Sequence, residues 1–105
     1  MQVLELGITS KRNTTIKCTL TLPDQQKNLP LLLMAHGFCA SRHENGTYVM
    51  LSERLAQQGI ACIRCDFAGC NDSEESHQFN NLENDMDDID TLLSYMKENY
   101  EIDEK

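Results

Sequence analysis

Proline and glycine are scarce, at 2 and 5 of 105 residues, and a flexible low-complexity linker is thereby excluded. No apolar run approaches the roughly 20 residues that a membrane-spanning helix needs; the longest clear one covers residues 29–35. The opening residues lack the basic segment followed by an apolar one that marks an export signal. A basic surface for nucleic acid is missing too. Residues 1–65 carry a dispersed net charge of +3 and residues 66–105 a net charge of −11, which repels phosphate. A second Cys-x-x-Cys and a pair of histidines at zinc-finger spacing are also absent, which speaks against a zinc site.

What remains is 40% hydrophobic and 25% charged, ordinary for a globular chain. The length allows one domain, residues 1–105, with a modest core. Five cysteines without an export signal indicate free thiols in a reducing cytoplasm. Cys62 and Cys65 lie in a segment that reads as a strand, so alternation sends them to opposite faces. They are expected to be buried, inert thiols.

Two period-2 runs open the chain. Leu4, Leu6 and Ile8 alternate with Glu5 and Gly7; Ile16, Cys18, Leu20 and Leu22 alternate with Lys17, Thr19 and Thr21. Joined by the polar residues 10–13, they predict an antiparallel hairpin with one buried face. Residues 31–35 are apolar throughout, as expected for a strand covered on both faces. Residues 47–58 have helical spacing, with Tyr48, Leu51 and Leu55 on one face and Gly59 as the stop. Residues 60–67 read as another strand, giving a βαβ unit and a parallel pair. A long amphipathic helix follows from Leu82 to Tyr100, its stripe formed by Leu82, Met86, Ile89, Leu92, Leu93, Met96 and Tyr100. Asn80 and Glu83 have the spacing of a capping pair. The acids of the first turns read as a solvated face favoured by the helix dipole, not as a calcium loop.

Three stretches together carry a resemblance. The first is Leu31-Leu32-Leu33-Met34-Ala35-His36-Gly37-Phe38, a strand ending in HGF. The second is Asp66-Phe67-Ala68-Gly69-Cys70-Asn71-Asp72-Ser73, similar to a D-x-x-G-x-G-x-S loop. The third is the long last helix. In this order they resemble the α/β-hydrolase fold, in its serine aminopeptidase and cinnamoyl-feruloyl esterase-like branch. The fold class so implied is α/β: an antiparallel hairpin and then βαβα, the N-terminal part of an α/β-hydrolase sheet that stops before the nucleophile elbow.

The resemblance also implies chemistry. Acyl transfer builds negative charge on the carbonyl oxygen, and donors must be aimed at it. In the family one donor is the amide after HG, here Phe38. His36 and Gly37 shape that turn, and a glycine lets the backbone approach substrate closely. Asp66 does not match the triad acid, because the triad follows the nucleophile along the chain; it reads as a loop-holding residue. Cys70 and Asn71 stand where the loop usually has His and Gly, and Asn tolerates a positive φ. No Gly-x-Ser-x-Gly occurs, and Ser41, Ser52, Ser73, Ser76 and Ser94 lack its context. His43 and His77 read as solvated loop residues.

The implied function is therefore the N-terminal portion of a serine ester hydrolase, inactive alone and needing no metal or other cofactor. A small-molecule ester is its implied substrate in the complete domain. The alternative is a non-catalytic remnant or interaction module. In the resembled sheet the strand leading to the nucleophile neighbours strand 31–35. Without it that strand is an apolar, uncharged edge after Pro30, and self-association through Leu31 to Ala35 is the expected result.

Overall fold

The fold is taken from a computed structural model, which describes residues 1–37 and 40–103. Strands β1 (Gln2–Thr9) and β2 (Thr15–Leu22) form the expected antiparallel hairpin, with Leu6 opposite Cys18 and Ile8 opposite Ile16. Its turn is tied by side chains: Ser10 Oγ accepts from the backbone N–H groups of Arg12 and Thr14, and Asn13 takes the left-handed conformation at φ 60°. β3 (Leu31–Met34) and β4 (Ala61–Cys65) are parallel, and α1 (Thr47–Gln57) crosses between them. The sheet order is β1-β2-β4-β3.

β2 is covered on both faces, and not on one as the alternation suggested. Ile16, Cys18, Leu20 and Leu22 join Ala61, Ile63 and Cys65 on one face, against Leu92 and Met96 of α2 (Leu82–Asn99). Thr19 and Thr21 are fully buried on the other. β3 is the edge strand among the described residues, as expected, but its faces are not both covered: Leu32 is 42% exposed.

α1 ends where expected, in a turn closed by Gly59 at φ 87°. The Gly59 N–H donates to Ala56 O and the Ile60 N–H to Leu55 O, which satisfies two carbonyls that a helix end leaves open. Its seating differs. The buried positions are Ser52 and Ala56, while Leu51 is 43% exposed. Small side chains let the helix lie close to the sheet, and Ser52 Oγ donates to Val49 O, so its hydroxyl is not stranded by burial.

α2 also shifts from its expected stripe. Leu92 and Met96 are buried as read, but Leu82 and Met86 are exposed and Asp88 is buried in their stead. The cap is Asn81, whose side chain accepts from the Asn84 N–H. Asn80 instead donates to Ala68 O and Cys70 Sγ.

Cys65 belongs to the α2-side core, whereas Cys62 pairs with Leu32 and Thr21 on the opposite face. Both are buried. Burial pushes the Cys62 thiol up to about 11 and Cys18 up to about 12, which disfavours the thiolate that redox chemistry and metal binding need.

Candidate functional site

The chain turns sharply after β3, and the turn is held at four points. Tyr48, at the start of α1, donates its hydroxyl to Ala35 O at 2.9 Å. The Phe67 N–H donates to His36 Nε2 at 3.0 Å. That places the ring proton on Nδ1, which donates to Gly37 O at 2.7 Å. Glu44 Oε2 accepts from the Gly37 N–H at 2.9 Å. His36 also packs against the Phe67 ring, with centroids 4.9 Å apart. The ring thus bridges the ends of the two parallel strands.

Of the residues expected at the site, His36 and Gly37 lie in this turn, and Phe38 falls outside the described residues. A Cβ built on Gly37 has its nearest neighbour at 3.8 Å, the Glu44 carboxylate. Packing among the described residues therefore does not demand glycine there. Beside the turn lies a cavity of about 340 Å³ lined by Ala40, Ser41, Asn45 and Asn71.

Asp66 sits beneath this turn and does more than hold its own loop. It accepts from Asn71 Nδ2 and the Asp72 N–H within the loop. It also accepts the Arg42 backbone N–H at 2.8 Å, and its other oxygen pairs with the Arg42 guanidinium. Arg42 reaches on to Thr19 Oγ1. Asn71 takes φ 46°, as its side chain permits. Gly69 takes φ 76°, and a Cβ there would lie 2.3 Å from His77 Cα. Ser73 Oγ accepts from the Gly69 and Glu75 N–H groups. The D-x-x-G-x-x-x-S residues thus each have a part in the loop.

His43 is half-buried rather than solvated: its Nδ1 meets Arg64 Nη1 at 3.2 Å, and the same guanidinium nitrogen donates to Arg42 O. His77 is exposed.

A second charged group was missed in the sequence. Arg12 of the hairpin turn donates to Glu75 from Nε at 2.7 Å and to Asp88 from Nη2 at 3.1 Å. One guanidinium faces two carboxylates. The Arg12 hydrogen bond holds Glu75 below its ordinary value. Burial pushes Asp88 above its own despite Arg12, and burial together with the neighbouring Asp88 does the same to Asp85. Asp88 thus binds its proton more tightly folded than unfolded. Its contribution to stability is fully present below the unfolded value of about 4 and is lost as pH rises through the folded one. Asp88→Asn mimics the protonated form. Its urea midpoint relative to the parent should rise as pH climbs above about 4 and level off once the folded Asp88 has lost its proton. A difference that stays flat would show that Asp88 titrates normally.

Comparison with known proteins fixes the fold. No protein-family model and no curated protein matches the chain. Solved structures do. An α/β hydrolase from Penicillium sp. sh18 superposes with a TM-score of 0.86 at 19% identity, over 100% of this chain and 35% of that one. A Butyrivibrio proteoclasticus protein solved with ferulic acid bound gives 0.79 at 22% identity, over 92% and 39%. A Xanthomonas campestris serine hydrolase described as having no lid gives 0.72 at 16% identity, over 95% and 46%. The chain has the α/β-hydrolase fold in part and spans less than half the length of these neighbours. No helix among the described residues is long and apolar enough to cross a membrane.

Proposed function

We propose that these residues are the portion of a serine ester hydrolase that carries one side of the oxyanion hole. The observation that supports this is the His36 clamp. A ring hydrogen-bonded to both the Phe67 N–H and the Gly37 carbonyl ties the end of β3 to the loop after β4. Acyl transfer needs preorganised donors where charge develops. In this reading the Phe38 amide is the donor, and His36 and Gly37 orient it. Because Glu44 already occupies the Gly37 N–H, Gly37 is not a second donor.

The nucleophile, its acid and its base come from polypeptide outside these residues, since no Gly-x-Ser-x-Gly is among them. The reaction is acyl-ester hydrolysis through an acyl-serine. Ferulic acid in one structural neighbour makes a hydroxycinnamate ester the first substrate to try.

Two measurements test the proposal. The purified chain should show no turnover of an aryl ester above a heat-killed control. Steady hydrolysis blocked by a serine-directed phosphonate would place the nucleophile inside these residues. In a chimaera, residues 1–105 replace the matching segment of a lidless serine hydrolase. That protein should hydrolyse esters, and Phe38→Pro should lower its kcat by roughly 10²–10³. A folded chimaera with no hydrolysis would favour the non-catalytic reading.

A further inference from the structure

We infer that Arg12, Asp85 and Asp88 enclose a binding site for a single water molecule, which fastens the hairpin turn to α2. The inference stands on three buried side-chain atoms and is independent of the esterase reading. Arg12 Nη1, Asp85 Oδ1 and Asp88 Oδ1 are closed off from solvent, and none has a partner among the described protein atoms. Asp88 as a whole is only 1% exposed. A buried polar group without a hydrogen bond is costly, and three in one cluster call for a common partner.

The three atoms are the free ends of groups that already meet. Arg12 Nη2 donates to Asp88 Oδ2 at 3.1 Å. Nε and Nη2 also serve Glu75, at 2.7 and 2.8 Å, so Nη1 is the nitrogen left over. Asp85 and Asp88 stand three residues apart on α2 and so share a face. Asp85 also feels the charges of both Asp88 and Arg12. The other polar neighbours are engaged elsewhere. Asp87 and Asp90 turn to Lys11, and Thr14 Oγ1 donates to Glu75.

The donor and acceptor pattern selects the occupant. With both aspartates ionised, it must accept one hydrogen bond and donate two. A metal cation would serve the carboxylates but accepts nothing from Nη1, and Arg12 repels it. The described residues also hold no group of His, Cys, Asp and Glu side chains fit for a metal. An anion would serve Nη1 and be repelled by two carboxylates. A proton shared between the aspartates would satisfy both oxygens and leave Nη1 bare. Water meets all three demands, with the roughly three hydrogen bonds usual for a buried water. It suits either state of Asp88, because it accepts from a carboxylic acid as readily as it donates to a carboxylate. Glu75 and the water then hold Arg12 from two sides, and the water carries the contact between Arg12 and Asp85.

The test is a crystal structure of the 105-residue chain, grown once with sodium chloride and once with rubidium chloride. Water-to-protein Overhauser measurements on the same chain in solution accompany it. An oxygen-sized peak should lie about 2.7–3.2 Å from all three atoms, with no anomalous signal in rubidium. In solution the methylene protons of Asp85 and Asp88 should give cross-peaks of the sign that marks a long-lived water. Asp85→Leu removes one acceptor and fills the space, and should abolish the Asp88 cross-peak. A rubidium peak would overturn the inference in favour of a cation site. So would Asp85 and Asp88 in direct contact with no peak between them, or an Asp88 cross-peak unchanged in a folded Asp85→Leu protein. If that variant does not fold, the parent decides alone: an empty site in both crystals and no cross-peak in solution would sink the idea.

Discussion

Asp66→Ala should remove a large share of the chain's stability and lower its urea midpoint sharply. The Asp66 side chain has no exposure, and that of its partner Arg42 has 10%. Removing one member of a buried, hydrogen-bonded pair strands the other and costs about 3–5 kcal/mol. A domain of this size holds only about 5–15 kcal/mol in total. The loss is compounded because the carboxylate also accepts two N–H groups from its own loop and the Arg42 backbone N–H. Three segments come loose together: the loop after β4, the strand β2 that Arg42 covers through Thr19, and the approach to α1. Asp72 also touches Arg42, at 3.2 Å, but its side chain is 60% exposed. An exposed ion pair contributes about 0–1 kcal/mol, so Asp72→Ala should shift a urea midpoint little. Equal midpoints for the two variants would show that burial of Asp66 carries no special weight.

Asp66 also shows how far the amino-acid sequence reaches. That it holds its own loop was legible from its place in the D-x-x-G stretch, and its contacts with Asn71 and Asp72 agree. Its partner was not readable. Arg42 lies 24 residues away, and nothing local distinguishes it from a solvated arginine. The same holds for Arg12, which meets Glu75 and Asp88 across 63 and 76 residues. Periodicity placed the acids of α2 on a solvated face, because a helix stripe is read from apolar residues and a charged residue in it looks like a gap. Long-range ion pairs have no period.

What periodicity did carry were the elements themselves. Both hairpin strands, the parallel pair and the two helices lie where alternation and helical spacing put them, because local backbone preference and burial agree there. Seating was harder. α1 packs through Ser52 and Ala56 and leaves Leu51 half in water, since closeness to the sheet favours small side chains over large apolar ones. The turn after β3 was found from His36 and Gly37. The groups that hold it, Tyr48 and Glu44, carry no motif. Glu44 reaches the Gly37 N–H from a left-handed backbone at φ 46°, a conformation that no sequence rule would assign to glutamate.

Gly69→Ala should lower the melting temperature by roughly 10–50 °C, at about 4–8 °C for each kcal/mol in a domain this small. Two costs add. Gly69 sits at φ 76°, where a non-glycine residue pays about 1–3 kcal/mol. Its Cβ would also lie 2.3 Å from His77 Cα and 2.7 Å from His77 N. Those are backbone atoms, so no rotamer change relieves the clash and one limb of the loop must move, at about 1–3 kcal/mol. Gly59 separates the two terms. It has φ 87°, and nothing lies within 4 Å of its Cβ position, so Gly59→Ala should pay the conformational cost alone. If the two variants melt together, the approach of residue 77 to the loop is not a real constraint. If Gly69→Ala melts well below Gly59→Ala, the difference measures how tightly the segment at His77 is pressed against the loop. That pressure has a consequence at a distance. Moving this limb pulls on Ser73, which gathers the Gly69 and Glu75 N–H groups, and through Glu75 on Arg12 and buried Asp88. Gly69→Ala should therefore also change the pH dependence that Asp88 produces, whereas Gly59→Ala, at the far end of α1, should leave it intact.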